Sequence, residues 1–329
     1  MAVYTEVSHD AAATLIDRLG IGALASLRPI ASGIENTNYF VDTDRGGRYV
    51  LTLFERLTFE QLPFYLELMR HLASRGVPVP DPKADADGRI LHTLHGKPAA
   101  VVDRLRGGHR LAPDAPHCAQ MGAALARMHL GGADFPLHQP NLRGLPWWNE
   151  TVPVVLPFLD ASQRELIKTE LAFQQQLAAS AAYAGLPRGP IHADLFRDNV
   201  MFDADPRTGE DVLTGLFDFY FAGVDALAFD IAVCLNDWCI DLDSGLLIEE
   251  RAAAFVDAYA EVRPLSTGER RLLPALMRGA ALRFWISRLW DLYLPREASL
   301  LKPHDPTHFE RVLRQRAQSP WHPTPVPIR

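Results

Sequence analysis

The chain has 329 residues, 48% apolar and 22% charged, with a formal net charge of -7. That length allows two domains or lobes, each with its own core. The acidic balance excludes a protein built to coat nucleic acid or an anionic membrane, and no run of about 18 apolar residues is present to cross a bilayer. No basic-plus-apolar leader is visible at the N-terminus. Cys118, Cys234 and Cys239 fall in apolar helical patterns without CxxC spacing. They read as reduced core residues of a cytoplasmic protein and do not suggest a zinc site.

In chain order, a short helix is expected over 8–20, with Ser8 as N-cap and Gly20 as stop. Strands are expected at Leu27 to Ile30 and Asn38 to Asp42, joined by Ala31-Ser32-Gly33-Ile34-Glu35-Asn36-Thr37. The turn Arg45-Gly46-Gly47 leads into a third strand from Arg48 to Phe54, which together suggest an antiparallel sheet. Apolar residues at helical spacing predict a helix over 58–75, and strands follow at Ile90 to Leu94 and Pro98 to Leu105. The Gly/Pro-rich Arg106 to Pro116 reads as a connector. Beyond it the pattern is mostly helical, over 117–130, 162–182, 227–240, 247–262 and 268–293. Short β segments return only at Asn199–Phe202 and Leu213–Asp218, and the Pro-rich tail after Ser319 reads as irregular. The fold class is therefore α+β: a small antiparallel β-rich lobe over 1–105, then a larger helical lobe over 106–329.

The chemistry is concentrated in His192-Ala193-Asp194-Leu195-Phe196-Arg197-Asp198-Asn199 and in Asp218-Phe219-Tyr220. Asp and Asn five apart, then a β-flanked Asp, is the spacing of a kinase-type phosphoryl-transfer centre. Such a reaction needs positioning and charge neutralisation more than covalent chemistry. Asp194 is the candidate to orient a hydroxyl and accept its proton. Asn199 and Asp218 offer hard oxygen ligands suited to Mg²⁺. His192 braces the loop, and Arg197 either reaches a phosphate or holds the loop in shape. Asp198 reads as a cap, and Asp230 as a buried acid capping loop backbone.

No Gly-x-x-x-x-Gly-Lys-Ser/Thr segment exists, which removes the P-loop class of ATP site. In its place Ser32, Gly33, Asn36, Thr37 and Asn38 supply backbone donors and small polar groups for the ATP phosphates. In a two-lobed kinase the adenine meets the end of the small lobe, here Val102 to Arg104.

With these residues in hand, the chain resembles the aminoglycoside phosphotransferase and choline kinase superfamily, which has a protein-kinase-like fold. More narrowly it resembles the type II homoserine kinases. The segments that carry this are Gly33 to Val41, Tyr49 to Glu55, His192 to Val200, Asp218 to Ala222 and Asn236 to Cys239. The resemblance implies transfer from MgATP to L-homoserine, giving O-phospho-L-homoserine and ADP in threonine biosynthesis. It implies no nucleic-acid or membrane partner. One departure is that the strand lysine usual in the superfamily is replaced here, at Thr52.

A zwitterionic acceptor needs a cation for its carboxylate and acids for its ammonium. Arg283 is the candidate for the first, with Arg288 beside it, and Asp237 and Asp225 for the second. Tyr220 and Trp238 are candidates to wall the pocket, and Trp147-Trp148 to cap it. The rival readings are a kinase of choline, an aminoglycoside or another hydroxylated amino acid, and a catalytically silent nucleotide-binding pseudokinase.

Overall fold

A computed structural model describes residues 5–30, 36–294 and 304–323. The chain divides into two compact units. Met1–Arg106 and Thr214–Phe217 form the first; Gly107–Leu213 and Asp218–Arg329 form the second. The expected single cut after residue 105 leaves out the return of Thr214–Phe217 to the first unit. There the Leu216 N–H donates to the Pro78 carbonyl at 2.8 Å. A Cβ on Gly215 would lie 2.4 Å from Leu105, so only glycine lets this segment approach so closely.

The first unit begins with α1 (His9–Leu19), capped by the Ser8 side chain and ended by Gly20 in the left-handed region at φ 66°. Its sheet comprises β1 (Leu24–Pro29), β2 (Asn36–Thr43), β3 (Arg48–Phe54), β4 (His92–Leu94) and β5 (Lys97–Asp103). The spatial order is β1-β2-β3-β5-β4, antiparallel throughout. Ala12, Leu15, Ile16 and Leu19 of α1 pack on Tyr39, Val41, Leu51, Leu53 and Val101 from one face of this sheet. α2 (Leu62–Ser74) follows β3. The register pairs Asn38 with Thr52, Thr52 with Ala100, and Val50 with Val102. Directly paired residues share a sheet face, so these side chains stand together on the face away from α1.

The second unit is mostly helical: α3 (Ala115–Gly131), α4 (Leu145–Val155), α5 (Ala161–Ala178), the short α6 (Ala181–Ala184), α7 (Leu227–Trp238), α8 (Glu249–Val262), α9 (Thr267–Tyr293) and α10 (Thr307–Gln318). Two β pairs follow: β6 (Arg188–Ile191) with β9 (Gly223–Ala226), and β7 (Val200–Ala204) with β8 (Asp211–Leu216), whose residues from Thr214 on belong to the first unit. Every residue of α7 is buried, which makes it the central helix of the unit. α3 lies so close to α8 that a Cβ on Gly122 would come within 2.1 Å of the Phe255 carbonyl oxygen.

α4, β6, β9 and α10 were not expected from the sequence pattern. The long helix expected over 162–182 is broken at Ala179 and Ser180, where the Ser180 side chain caps α6. Among the described residues no helix is long and apolar enough to cross a membrane.

Candidate active site

The loop that leaves β6 is held by one carboxylate. The His192 and Ala193 N–H groups both donate to Asp230 of α7, each at 2.8 Å. Two successive donors can converge on one acid only if the chain turns sharply, and Ala193 accordingly takes φ 65°. A non-glycine residue held there stores about 1–3 kcal/mol of strain, so the surrounding contacts must over-determine it. They do: the Leu195 carbonyl accepts from Trp238 Nε1 at 3.0 Å and from Cys234 Sγ at 3.6 Å. Asp237 accepts from the Arg197 N–H at 2.8 Å and from Arg197 Nε at 3.1 Å. Arg197 also donates to the carbonyls of Leu111, at 2.8 Å, and of Asp237. Finally, Asn199 Nδ2 donates to the Asp194 carbonyl at 2.8 Å, which leaves the Asn199 side-chain oxygen turned away from that bond.

Asp230 is itself supported from behind. His129 Nε2 of α3 lies 3.2 Å from Asp230 Oδ2, and its Nδ1 lies 2.7 Å from the Tyr259 hydroxyl. Arg263 donates to that hydroxyl at 3.1 Å and pairs with Glu269 at 2.8 Å. Every donor then meets an acceptor: Arg263 to Tyr259, Tyr259 to His129, His129 to Asp230. Burial raises the Tyr259 phenol pKa, so it remains a donor. Burial also pushes the Asp230 pKa up. The His129 hydrogen bond, the neighbouring His129 and His192 rings and the His192 N–H outweigh that and hold it below the usual carboxylate range. A buried charge is tolerable because it is paired and fully hydrogen-bonded.

The Asp194 carboxylate faces Arg283 of α9, Oδ1 to Nη1 3.5 Å. Arg283 is only 3% exposed. Burial lowers its pKa to about 10; the Asp194 charge opposes this while Arg143 and Arg288 add to it. The second motif is joined to the first through aromatic packing: the His192 and Phe219 rings have centroids 4.5 Å apart. Asp218 takes φ 68° and ψ 57° at the entry to a tight turn over Phe219–Phe221. Burial first, and then the adjacent Asp218 charge, raise the Tyr220 phenol pKa. Among the described residues no group of three or more His, Cys, Asp or Glu stands ready to hold a metal. A divalent ion held by Asn199 and Asp218 would take its remaining ligands from water and phosphate, the habit of Mg²⁺.

In the first unit, Asn36 and Asn38 alternate with Thr37 along β2. Asn38 accepts the Thr52 hydroxyl at 2.7 Å, on the face shared with Val102. The Arg104 guanidinium lies 3.9 Å above the Phe40 ring. Ser32 and Gly33 lie outside the described residues.

Three expected roles are corrected by this geometry. Thr37 is buried on the α1 side, where its hydroxyl donates to Glu55 at 2.6 Å and accepts the Thr5 N–H, so strand alternation removes it from the face of Asn38. Arg197 is buried and holds the loop in shape, the second of the two roles expected for it. Asp237 is spent on Arg197 and is not directed at an acceptor ammonium. Trp238 has no exposed surface and donates its indole N–H to the loop, so it lies beneath the site and does not wall it. Asp225 is likewise engaged, by Arg188 and Asn141, each at 2.9 Å. Arg288 donates to the Asp305 carbonyl at 3.2 Å and stacks on Phe309. Three neighbours of these groups were not singled out in the sequence: His129 behind Asp230, and Arg143 and Phe221 near Arg283. A histidine on the buried stripe of α3 was the available signal for the first, since a buried ring nitrogen requires a partner.

A family model described as phosphotransferase enzyme family matches residues 26–265. The homoserine kinase of Polaromonas naphthalenivorans is 65% identical, over 98% of this chain and 99% of that protein. That of Ralstonia pickettii is 57% identical over 96% of each. Among solved structures, an amicoumacin kinase in complex with AMP-PNP and Ca²⁺ matches with a TM-score of 0.66 at 17% identity, covering 89% of both chains. That likeness shows the kinase-like fold. With the family model spanning most of its length and homoserine kinases alike from end to end, the chain belongs to the phosphotransferase enzyme family, in its homoserine kinase branch.

Proposed function

We propose that the protein transfers the terminal phosphoryl group of ATP to the side-chain hydroxyl of L-homoserine, giving O-phospho-L-homoserine and ADP. The observation that carries this reading is the pairing of Asp194 with the buried Arg283. It puts an acid that can orient a hydroxyl beside a cation that can hold the acceptor's carboxylate. The Asp194 carboxylate receives the hydroxyl proton as the oxygen–phosphorus bond forms and the bond to the bridging oxygen of ADP breaks. His192, Arg197 and Asp230 do not touch the reacting atoms; they fix the loop that aims Asp194. Asn199 and Asp218 are the residues that would hold Mg²⁺. When bound, the ion neutralises the charge on the phosphates and keeps them aligned. Asn36, Asn38, Thr52, Val102 and Arg104 would contact the nucleotide from the first unit, and Tyr220 would border the acceptor.

A quaternary ammonium or polycationic acceptor fits less well, because a buried guanidinium next to the base repels it. The test is ADP release from MgATP against L-homoserine, L-serine, L-threonine, choline, ethanolamine and kanamycin. Turnover on L-homoserine alone is expected. Asp194→Asn should keep the fold and nucleotide binding and lower kcat by about a hundredfold or more. Turnover on choline or kanamycin in place of L-homoserine would overturn the reading.

A further inference from the structure

The segment ahead of α4 brings a second guanidinium to the acceptor side of the catalytic loop. Arg143 stacks on Trp147, its carbon Cζ 4.5 Å from the ring centroid, and lies 5.8 Å from the centroid of Phe221. Arg283 Cζ lies 5.2 Å from that same Phe221 ring. One aromatic ring, three residues past Asp218, therefore carries both cations, and the second of them contacts Asp194. We infer that Arg143 and Arg283 form a two-guanidinium clamp about Phe221 that takes the acceptor's carboxylate and makes that carboxylate a condition of turnover.

Three observations support the clamp. First, Arg283 Nε is buried and donates to no acceptor among the described residues, although a buried guanidinium donor normally has one. An anion entering beside it supplies the missing partner. Second, Arg143 and Arg283 are close enough for the Arg143 charge to act on Arg283, and burial compounds that repulsion. Asp194 offsets part of that cost, and an acceptor carboxylate brings a second negative group to the two guanidinium groups. Third, the segment presenting Arg143 is fixed. The Arg143 N–H donates to Asn141 Oδ1 at 2.9 Å, and the Arg143 carbonyl accepts from Trp148 Nε1 at 2.6 Å. Asn141 is in turn tied to β9 by its N–H to the Val224 carbonyl and its Nδ2 to Asp225. Gly223 must be glycine for this approach, because a Cβ there would lie 2.8 Å from Asn141. An arginine stacked on an indole loses little freedom when its planar edge engages a carboxylate.

The inference rests on the reading of the acceptor as a hydroxylated amino acid, and the experiment separates the two. Wild type, Arg143→Met and Arg143→Lys are assayed by ADP release with L-homoserine and with 3-aminopropanol, which lacks only the carboxylate. Arg143→Met should raise KM for L-homoserine about tenfold or more while kcat falls by less than about threefold. Its kcat/KM on 3-aminopropanol should match the low wild-type value. Arg143→Lys keeps the charge and loses the fork, and should raise KM severalfold. It carries the same test if the Met variant fails to fold. An unchanged KM for L-homoserine, or an equal loss on both acceptors, would overturn the clamp. Wild-type turnover on 3-aminopropanol as efficient as on L-homoserine would overturn it too. Wild-type silence on L-homoserine would instead refute the underlying assignment, and the clamp with it.

Discussion

Replacing Asp230 by Asn tests whether one buried carboxylate sets the catalytic loop. The acid accepts three bonds: the N–H groups of His192 and Ala193 at 2.8 Å and His129 Nε2 at 3.2 Å. An amide has one oxygen, so at least one of these donors meets an NH₂ group. Hydrogen bonds to charged groups contribute about 1.5–3 kcal/mol each, and breaking a buried pair costs about 3–5 kcal/mol. Asp230→Asn should therefore destabilise the protein by about 3–5 kcal/mol. Total stability of roughly 5–15 kcal/mol leaves the variant folded. The kinetic effect is separate. The bond from the Ala193 N–H to Asp230 is the contact made by Ala193 itself that holds it at φ 65°. Once released, it relaxes and moves the adjacent Asp194. A displacement of about 1 Å at a reacting group costs about a hundredfold in rate. The pH dependence has a definite sign. The folded pKa of Asp230 lies below the ordinary carboxylate value. Its contribution is complete above the unfolded pKa of about 3.9 and is lost as pH falls through the lower folded value. The acid limb of the stability profile should be shallower in the variant. Urea unfolding and kcat measured on the same preparations decide the matter. Lost stability with unchanged kcat would show that the loop keeps its shape without Asp230; unchanged stability would refute the energetic argument.

Two further outcomes are expected away from the loop. Gly122→Ala should lower the unfolding temperature: its Cβ would meet the Phe255 carbonyl at 2.1 Å, and overpacking of about 1–3 kcal/mol exceeds the ~1 kcal/mol helix gain. Differential scanning calorimetry would show it, and a rise in Tm would count against the α3–α8 packing described. His308 is pulled down to about 4 by burial and by the charges of Arg288 and Arg311, against the Leu242 carbonyl. Its neutral form stabilises the fold above the unfolded pKa of about 6.5, and this is lost toward pH 4, at most about 3 kcal/mol. His308→Gln should flatten unfolding stability across that window, and an unaltered slope would refute the assignment.

What could be read from the sequence divides along physical lines. Asp194, Asn199 and Asp218 stand out as candidates because their chemistry is dense and their spacing is local. Asp230 was legible as a cap because an acid opening a mostly apolar helix has few other uses. Thr37 was misassigned because a strand's sides are known only once its partner is: Asn38 pairs with Thr52, and that pairing puts Thr37 on the α1 side. α4 was missed because Pro146 and Pro153 read as breakers. Pro146 falls in the first turn, where no N–H bond is lost. α10 has no counterpart among the expected helices, although Phe309, Val312, Leu313 and Arg316 form a buried stripe at helical spacing. Arg143 was not legible, because its partners Trp147 and Phe221 include one from a segment more than seventy residues away.

Asp237 and Trp238 were misread for a more general reason, and α7 explains it. Its contacts with the loop come from Asp230, Cys234, Asp237 and Trp238, spaced i, i+4, i+7 and i+8, which is one stripe of a helix. They engage loop positions 192–193, 195 and 197, so the loop runs along the stripe in the same direction. The distance spanned is about 12 Å at 1.5 Å per residue. In a helix buried on all sides, polar groups serve neighbouring backbone and not solvent or ligand. A polar residue on such a helix therefore points to what it holds in place. The same helix is also bonded to the helix that carries Arg283: Asn236 Nδ2 donates to the Met277 carbonyl of α9 at 2.7 Å, and its Oδ1 accepts from Arg316 of α10 at 2.9 Å. α9 carries Arg283 to within 3.5 Å of Asp194. Asp194 and Arg283 thus derive their separation from two packed helices joined by hydrogen bonds, with the loop strapped to one of them. Catalysis of this kind depends on pre-set geometry more than on reactive groups, so the residues beneath the site matter to the reaction without touching the substrate.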